Sequence, residues 1–119
     1  MWLACLSGDE RDKEELEREY KDATRYGEVR LGEMCLFYRY FIKIRYVAYE
    51  QIAKAYLREE SGESGEFLLK EFYLMLETKD GVLHKLRLER DVNVKSVLAY
   101  LESHYKDITI GFNRPSRSK

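Results

Sequence analysis

Apolar and polar positions alternate with a period of two over most of the middle of this chain, and take up a helical period at only two places. The clearest stretch runs from Phe72 to Leu88, two alternating segments on either side of Asp80-Gly81. Asp-Gly favours a tight hairpin because both central residues take positive φ there, so the spacing predicts a sharp turn at this pair. Phe72, Leu74 and Leu76 share one face of the first segment, and His84, Leu86 and Leu88 share one face of the second. Lys85, Arg87 and Glu89 point the other way, as in an antiparallel sheet with one face in water. Directly behind, Val94, Val97, Leu98, Leu101 and Tyr105 fall on one side of a helix for which Asn93 is the expected N-cap.

Upstream of the hairpin the same reading gives more strands. Val29 and Leu31 alternate with charge, Gly32 offers a bend, and Met34 to Tyr38 is rich in strand formers. From Phe41 to Tyr46, Ile42, Ile44 and Tyr46 share one face while Phe41, Lys43 and Arg45 share the other. Val47 to Ile52 reads as a corner, followed by Ala53, Ala55 and Leu57 alternating with polar residues. Glu60 to Glu66 has loop composition and is expected to be a flexible hairpin tip or short linker. At the start, Ser7 and Glu10 have capping-box spacing, and Asp12 to Tyr26 reads as a charged surface helix whose only apolar stripe is Leu16, Tyr20 and Ala23, stopped by Gly27. Asp107 to Phe112 is expected to add a short strand through Ile108, Ile110 and Phe112. The organisation predicted is an N-terminal arm and charged helix over residues 1–27, a domain over 28–112, and a basic tail over 113–119 that frays.

Composition changes this picture little. A chain of 119 residues that is 45% apolar and 36% charged has material for one core and a heavily charged surface. Its 21 Lys and Arg against 22 Asp and Glu leave a net charge of -1, which creates no global field toward nucleic acid or anionic lipid. A nucleic-acid partner is therefore not expected, and a membrane is the less favoured partner. Cys5 and Cys35 lie far apart with no metal-ligand spacing, so neither a metal nor a cofactor is expected, and two isolated thiols suit a reducing compartment. Met1 to Leu6 is too short for a secretion signal or a membrane span, so the expected location is cytoplasmic.

Several segments resemble a known family. Leu31-Gly32-Glu33 before an aromatic strand, Tyr49-Glu50-Gln51-Ile52 leading into Ala55-Tyr56-Leu57-Arg58, Thr78-Lys79-Asp80-Gly81, and Ile108-Thr109-Ile110-Gly111-Phe112 after the helix are similar to bacterial pleckstrin-homology (PH)-like domains of unknown function. The resemblance covers residues 28–112. It implies an α+β, mostly β fold: a partly open barrel of two antiparallel sheets capped by a C-terminal helix, with the N-terminal helix as an addition. A sheet with one apolar face must cover it, and a single striped helix suits that task.

Candidate chemistry is sparse. Neither His84 nor His104 has a nucleophile and an orienting carboxylate at a recognisable spacing, so no catalytic residue is assigned and no enzymatic activity is expected. The PH resemblance implies anion or lipid contact through basic residues of the early strands, for which Arg39, Lys43 and Arg45 are the candidates. Tyr38, Tyr40, Phe41, Tyr56 and Tyr73 include residues that the alternation puts opposite the core; they are candidates for a protein contact or for cover by the N-terminal helix. The function expected is a non-enzymatic PH-like binding or scaffold module that recognises a protein partner, a second copy of the chain included. The alternative is a peripheral membrane or phosphoinositide-binding PH-like domain.

Overall fold

The alternation upstream of the central hairpin folds into three antiparallel strands, β3 (Val29–Leu31), β4 (Cys35–Tyr40) and β5 (Lys43–Ala48). The computed structural model describes residues 2–8, 10–64 and 67–111. β1 (Trp2–Cys5) lies parallel to β5 and β2 (Thr24–Tyr26) antiparallel to β3, giving a five-stranded first sheet in the order β1-β5-β4-β3-β2. The N-terminal segment, expected as an arm and a helix outside the β layer, thus supplies both edges of this sheet. The second sheet has the order β8-β7-β6-β9, built from β6 (Ile52–Ser64), β7 (Phe67–Thr78), β8 (Leu83–Leu88) and β9 (Thr109–Gly111), with β9 parallel to β6. The PH resemblance implies two antiparallel sheets, but neither sheet is purely antiparallel, and they do not close into a barrel. Each carries one parallel edge strand, made possible by the long stretch of chain between the paired strands.

The main core lies between the two sheets and the C-terminal helix α2 (Asp91–His104). Val94, Val97, Leu98 and Leu101 of α2 are fully buried, as the stripe predicts, against Leu36 and Val47 of the first sheet and Leu74 and Leu86 of the second. Asn93 does not cap α2: Arg90 holds that position, and Asn93 sits one turn in, packed against the β2–β3 turn. There Gly27 has φ 65, and a Cβ would come within 2.6 Å of the Asn93 amide nitrogen. Gly27 is therefore a strand turn with no room for a side chain, where the sequence suggests a helix stop.

The N-terminal helix α1 is shorter than its charge pattern predicts, running Lys13–Asp22. Asp12 caps it by accepting from the Glu15 N–H at 3.1 Å, so the Ser7 and Glu10 spacing is not the helix start. Leu16 and Tyr20 pack on Cys35, Phe37, Ile44 and Tyr46, on the face of the first sheet opposite the main core. With both faces covered, the stretch from Cys35 to Tyr38 is buried without interruption.

Two turn expectations are also corrected. Glu60 to Glu66 falls at the end of the β6–β7 hairpin, but Glu60 to Ser64 is not a loose tip or linker; it continues β6, paired Glu60 to Glu71, Ser61 to Lys70 and Gly62 to Leu69, while 65–66 lie outside the described residues. Strand pairing inherited from the flanking residues outweighs its loop composition. After β7 only Gly81 takes positive φ, at 90°, while Asp80 does not. Gly81 N–H donates to the Thr78 carbonyl and Thr78 N–H to the Val82 carbonyl, both at 2.9 Å, so the turn has three residues, Lys79 to Gly81. Ile108 is buried and β9 forms after α2, while Phe112 and the tail 113–119 lie outside the described residues. Among the described residues no helix is long and apolar enough to cross a membrane.

Candidate functional site

The five aromatic candidates fall in three places. Tyr38 is a core residue, 4% exposed, and its hydroxyl donates to the Arg87 carbonyl at 2.7 Å, so it is not a surface contact. It shares the inner face of β4 with Leu36, because that face, and not its opposite, meets the second sheet. Tyr56 and Tyr73 lie half-buried on the second sheet's outer face. Tyr73 is locked there: Lys85 Nζ lies 4.3 Å from its ring centre, and its hydroxyl donates to Glu71 at 2.6 Å. That hydrogen bond, with burial, pushes its pKa up to about 12. The surrounding charges are paired, Lys54 with Glu77, Lys85 with Glu60 and Arg87 with Glu71 across strands, and Arg58 with Glu60 along β6. The hydrogen bond from Lys85 holds the Glu60 carboxyl below its usual range. This face is consequently close to electrically neutral.

Tyr40 and Phe41 lie at the β4–β5 turn, at one end of the first sheet. The turn residues are Phe41 and Ile42, so Phe41 is not part of a strand as the alternation suggests. Phe41 has φ 58, the left-handed region that costs a bulky residue roughly 1–2 kcal/mol. Its side chain is 77% exposed, Ile42 is 74% exposed, and the Tyr40 ring leans on Phe41 at 4.5 Å. Trp2, also exposed, pairs with Lys43 at the start of β1, as Tyr40 does from β4. Four large apolar side chains therefore project from one end of the sheet, next to Arg39 and Lys43.

The basic candidates do not converge. Lys43 and Arg45 lie on the inner face of the first sheet, in line with Val47, whereas Arg39 is on the outer face, in line with Phe37. Arg39 instead meets Arg25 of β2 and Arg30 of β3 around a concavity of about 230 Å³, whose wall also includes Tyr20, Glu28 and Phe41. Each guanidinium is held by a main-chain carbonyl: Arg25 Nε donates to Gly27 O at 3.0 Å, Arg30 Nη1 to Tyr20 O at 3.2 Å, and Arg39 Nε to Phe41 O at 2.8 Å. The Arg30 guanidinium carbon also lies 4.2 Å from the Tyr20 ring centre. Sequence reasoning missed Arg25 because the charge pattern of Asp12 to Tyr26 reads as one helix. The usable signal was the alternation of Arg30 between Val29 and Leu31.

A second depression, of about 340 Å³, lies at the C-terminal end of α2. Tyr49 and Tyr105 stack there at 4.4 Å, the Tyr49 hydroxyl donates to Gly32 O at 2.8 Å, and burial raises the Tyr49 phenol pKa well above its usual value. Its rim mixes both signs, with Arg11 paired to Glu50 at 3.0 Å, and with Lys79, Lys106, Glu33 and Asp107 nearby. His104 stacks on Tyr100 at 4.1 Å and donates from Nδ1 to that residue's carbonyl. His84 lies near Thr78, and burial lowers its pKa. Among the described residues, no group of three His, Cys, Asp or Glu is placed to hold a metal ion.

No curated protein and no solved structure matches this chain. Residues 5–118 match the family model described as a domain of unknown function (DUF6709), and the chain belongs to that family.

Proposed function

We propose that the domain is a non-enzymatic, PH-like docking module that seats the β4–β5 end of its first sheet on an anionic lipid surface. The observation that carries this is Phe41, a bulky apolar residue kept in left-handed backbone with its ring in water. Asn or Gly would suit that backbone better, so strain is being retained at a position where the ring is mostly in water and touches only the exposed Tyr40 ring. Strain of this kind concentrates where a surface has work to do.

The PH-like part of the reading is supported by element order: a four-strand meander β2 to β5, a three-strand meander β6 to β8, then α2, with β1 and β9 as edge additions. The choice of lipid over a protein partner is supported by shape and charge. The tip is a two-residue turn at the end of the sheet, Phe41, Ile42, Tyr40 and Trp2 match the residue types that settle at a bilayer interface, and Arg39 and Lys43 flank them. Each basic residue near an anionic surface contributes about 1 kcal/mol, and burying a Phe ring about 1.5–3 kcal/mol.

Sedimentation with vesicles tests this. The expected result is binding to anionic but not neutral vesicles, weakened by salt, and reduced about tenfold or more by Phe41→Asn. Equal and negligible binding to both vesicle types sinks the proposal, as does a Phe41→Asn protein that binds like the parent.

A further inference from the structure

The structure assigns a second element to this surface, resting on the docking reading above: Arg25, Arg30 and Arg39 form a site for the phosphomonoester of a lipid headgroup. The argument starts from a contrast. On the second sheet Lys54, Arg58, Lys85 and Arg87 each have a carboxylate within ion-pair distance, on the same strand for Arg58 and on another strand for the rest. Around the concavity on the first sheet, no carboxylate lies within ion-pair distance of any of the three arginines among the described residues, and each is held by a main-chain carbonyl instead. A carbonyl fixes the orientation of a guanidinium without neutralising it.

The register makes the arrangement more specific. Arg25 and Arg30 are directly opposite each other on β2 and β3, a like-charge pair that is destabilising unless an anion joins it. Glu28, the one carboxylate in the wall, is engaged elsewhere, accepting from the Glu89 N–H at 3.2 Å and 3.4 Å. Three guanidiniums against one carboxylate leave two positive charges. A phosphate monoester carries about -1.5 to -2 at pH 7, and its oxygens match the planar fork of arginine. The concavity, at about 230 Å³, is below the size of a drug-like pocket and suits a headgroup fragment.

Phe41 joins this site to the tip. It is one of the residues around the concavity and its carbonyl holds Arg39, so an apolar tip entering the interface brings the three arginines to headgroup level. This geometry favours a lipid phosphate over a soluble one.

The experiment compares vesicles of phosphatidylcholine alone, with phosphatidylserine, and with phosphatidic acid, the last two matched in surface charge. Inorganic phosphate is added as a free competitor. The parent protein is expected to prefer phosphatidic acid over phosphatidylserine at least tenfold. An Arg25→Gln, Arg39→Gln double variant, which leaves Arg30 in place on Tyr20, is expected to fall to the phosphatidylserine level with an unchanged or raised melting temperature, and Lys95→Gln to behave as the parent. Equal binding to the two anionic vesicles, with Phe41→Asn still abolishing both, overturns the arginine site and leaves the docking reading standing. Preference for phosphatidic acid that survives Phe41→Asn but not the double variant supports the site and overturns the tip. Phosphate-dependent shifts of the arginine Nε–H signals with no vesicle binding overturn the lipid assignment.

Discussion

In the docking proposal, Phe41 sets folding against docking within one side chain. Its left-handed backbone costs the native state roughly 1–2 kcal/mol, and Asn adopts that conformation more readily. Phe41→Asn should therefore raise stability by about 1 kcal/mol and the melting temperature by a few degrees. Thermal unfolding followed by circular dichroism checks this; an unchanged or lower midpoint would mean that the Phe41 backbone carries no strain. His84 gives a second prediction at this scale. Burial lowers its pKa in the native state, so as pH falls the unfolded chain takes up the proton first. The stability this residue contributes is present above its ordinary pKa of about 6.5 and is lost as pH falls from there toward the native value. Asp80 is held below its usual range by the Thr78 hydroxyl, so its contribution disappears only at lower pH, below about 4. Urea midpoints between pH 8 and pH 5 should fall for the parent and flatten for His84→Gln. A parent with no slope in that window would contradict the burial of His84. Residue-level faces were legible wherever one side of a strand meets the core, as at Leu74, Leu76, Leu86 and Leu88. Tyr38 was not, because periodicity separates two faces without saying which one meets the other sheet.

Helix α1, packed on the first sheet through Leu16 and Tyr20, is also tied to it by a charged side chain. The Glu19 carboxylate accepts from the backbone N–H groups of Met34 at 2.6 Å and Cys35 at 2.8 Å, in the turn between β3 and β4. Gly32 is in the same turn, and a Cβ there would collide with Glu19. Glu19→Ala should cost about 2–3 kcal/mol, because two N–H groups lose a charged acceptor. Hydrogen exchange at the Cys35 amide should accelerate in that variant, and protection equal to the parent would show that the helix is held by Leu16 and Tyr20 instead. The existence of α1 was readable from Leu16 and Tyr20, but its end was not. Thr24 to Tyr26 carries no strand signature of its own and becomes β2 only by pairing with β3. Asn93 misled for the opposite reason: an asparagine suited to capping is recruited to fill the space beside a glycine on another element.

The molecule as a whole depends on α2, since its buried face touches both sheets. Leu98→Ala should cost about 2–5 kcal/mol and lower the unfolding of both sheets together. Coincident fluorescence and far-ultraviolet transitions check this; separate transitions would mean that the sheets fold independently. The order of hairpins and the final helix could be read from the chain because each is a local pattern. The parallel edges could not, since β1 and β9 pair with strands far from them along the chain and no local pattern links them. The same holds for the cluster of Arg25, Arg30 and Arg39, which belongs to three strands and to no single motif.

The parallel course of β1 beside β5 has a practical result. Both strands set out from the same end of the sheet, where Trp2 stands next to Lys43. Any polypeptide joined ahead of Trp2, including a purification tag, leaves the domain beside Phe41 and would act as a shield over it. Affinity measurements on this protein should therefore use a handle at the other terminus, and removal of an N-terminal tag should unmask binding without changing the fold.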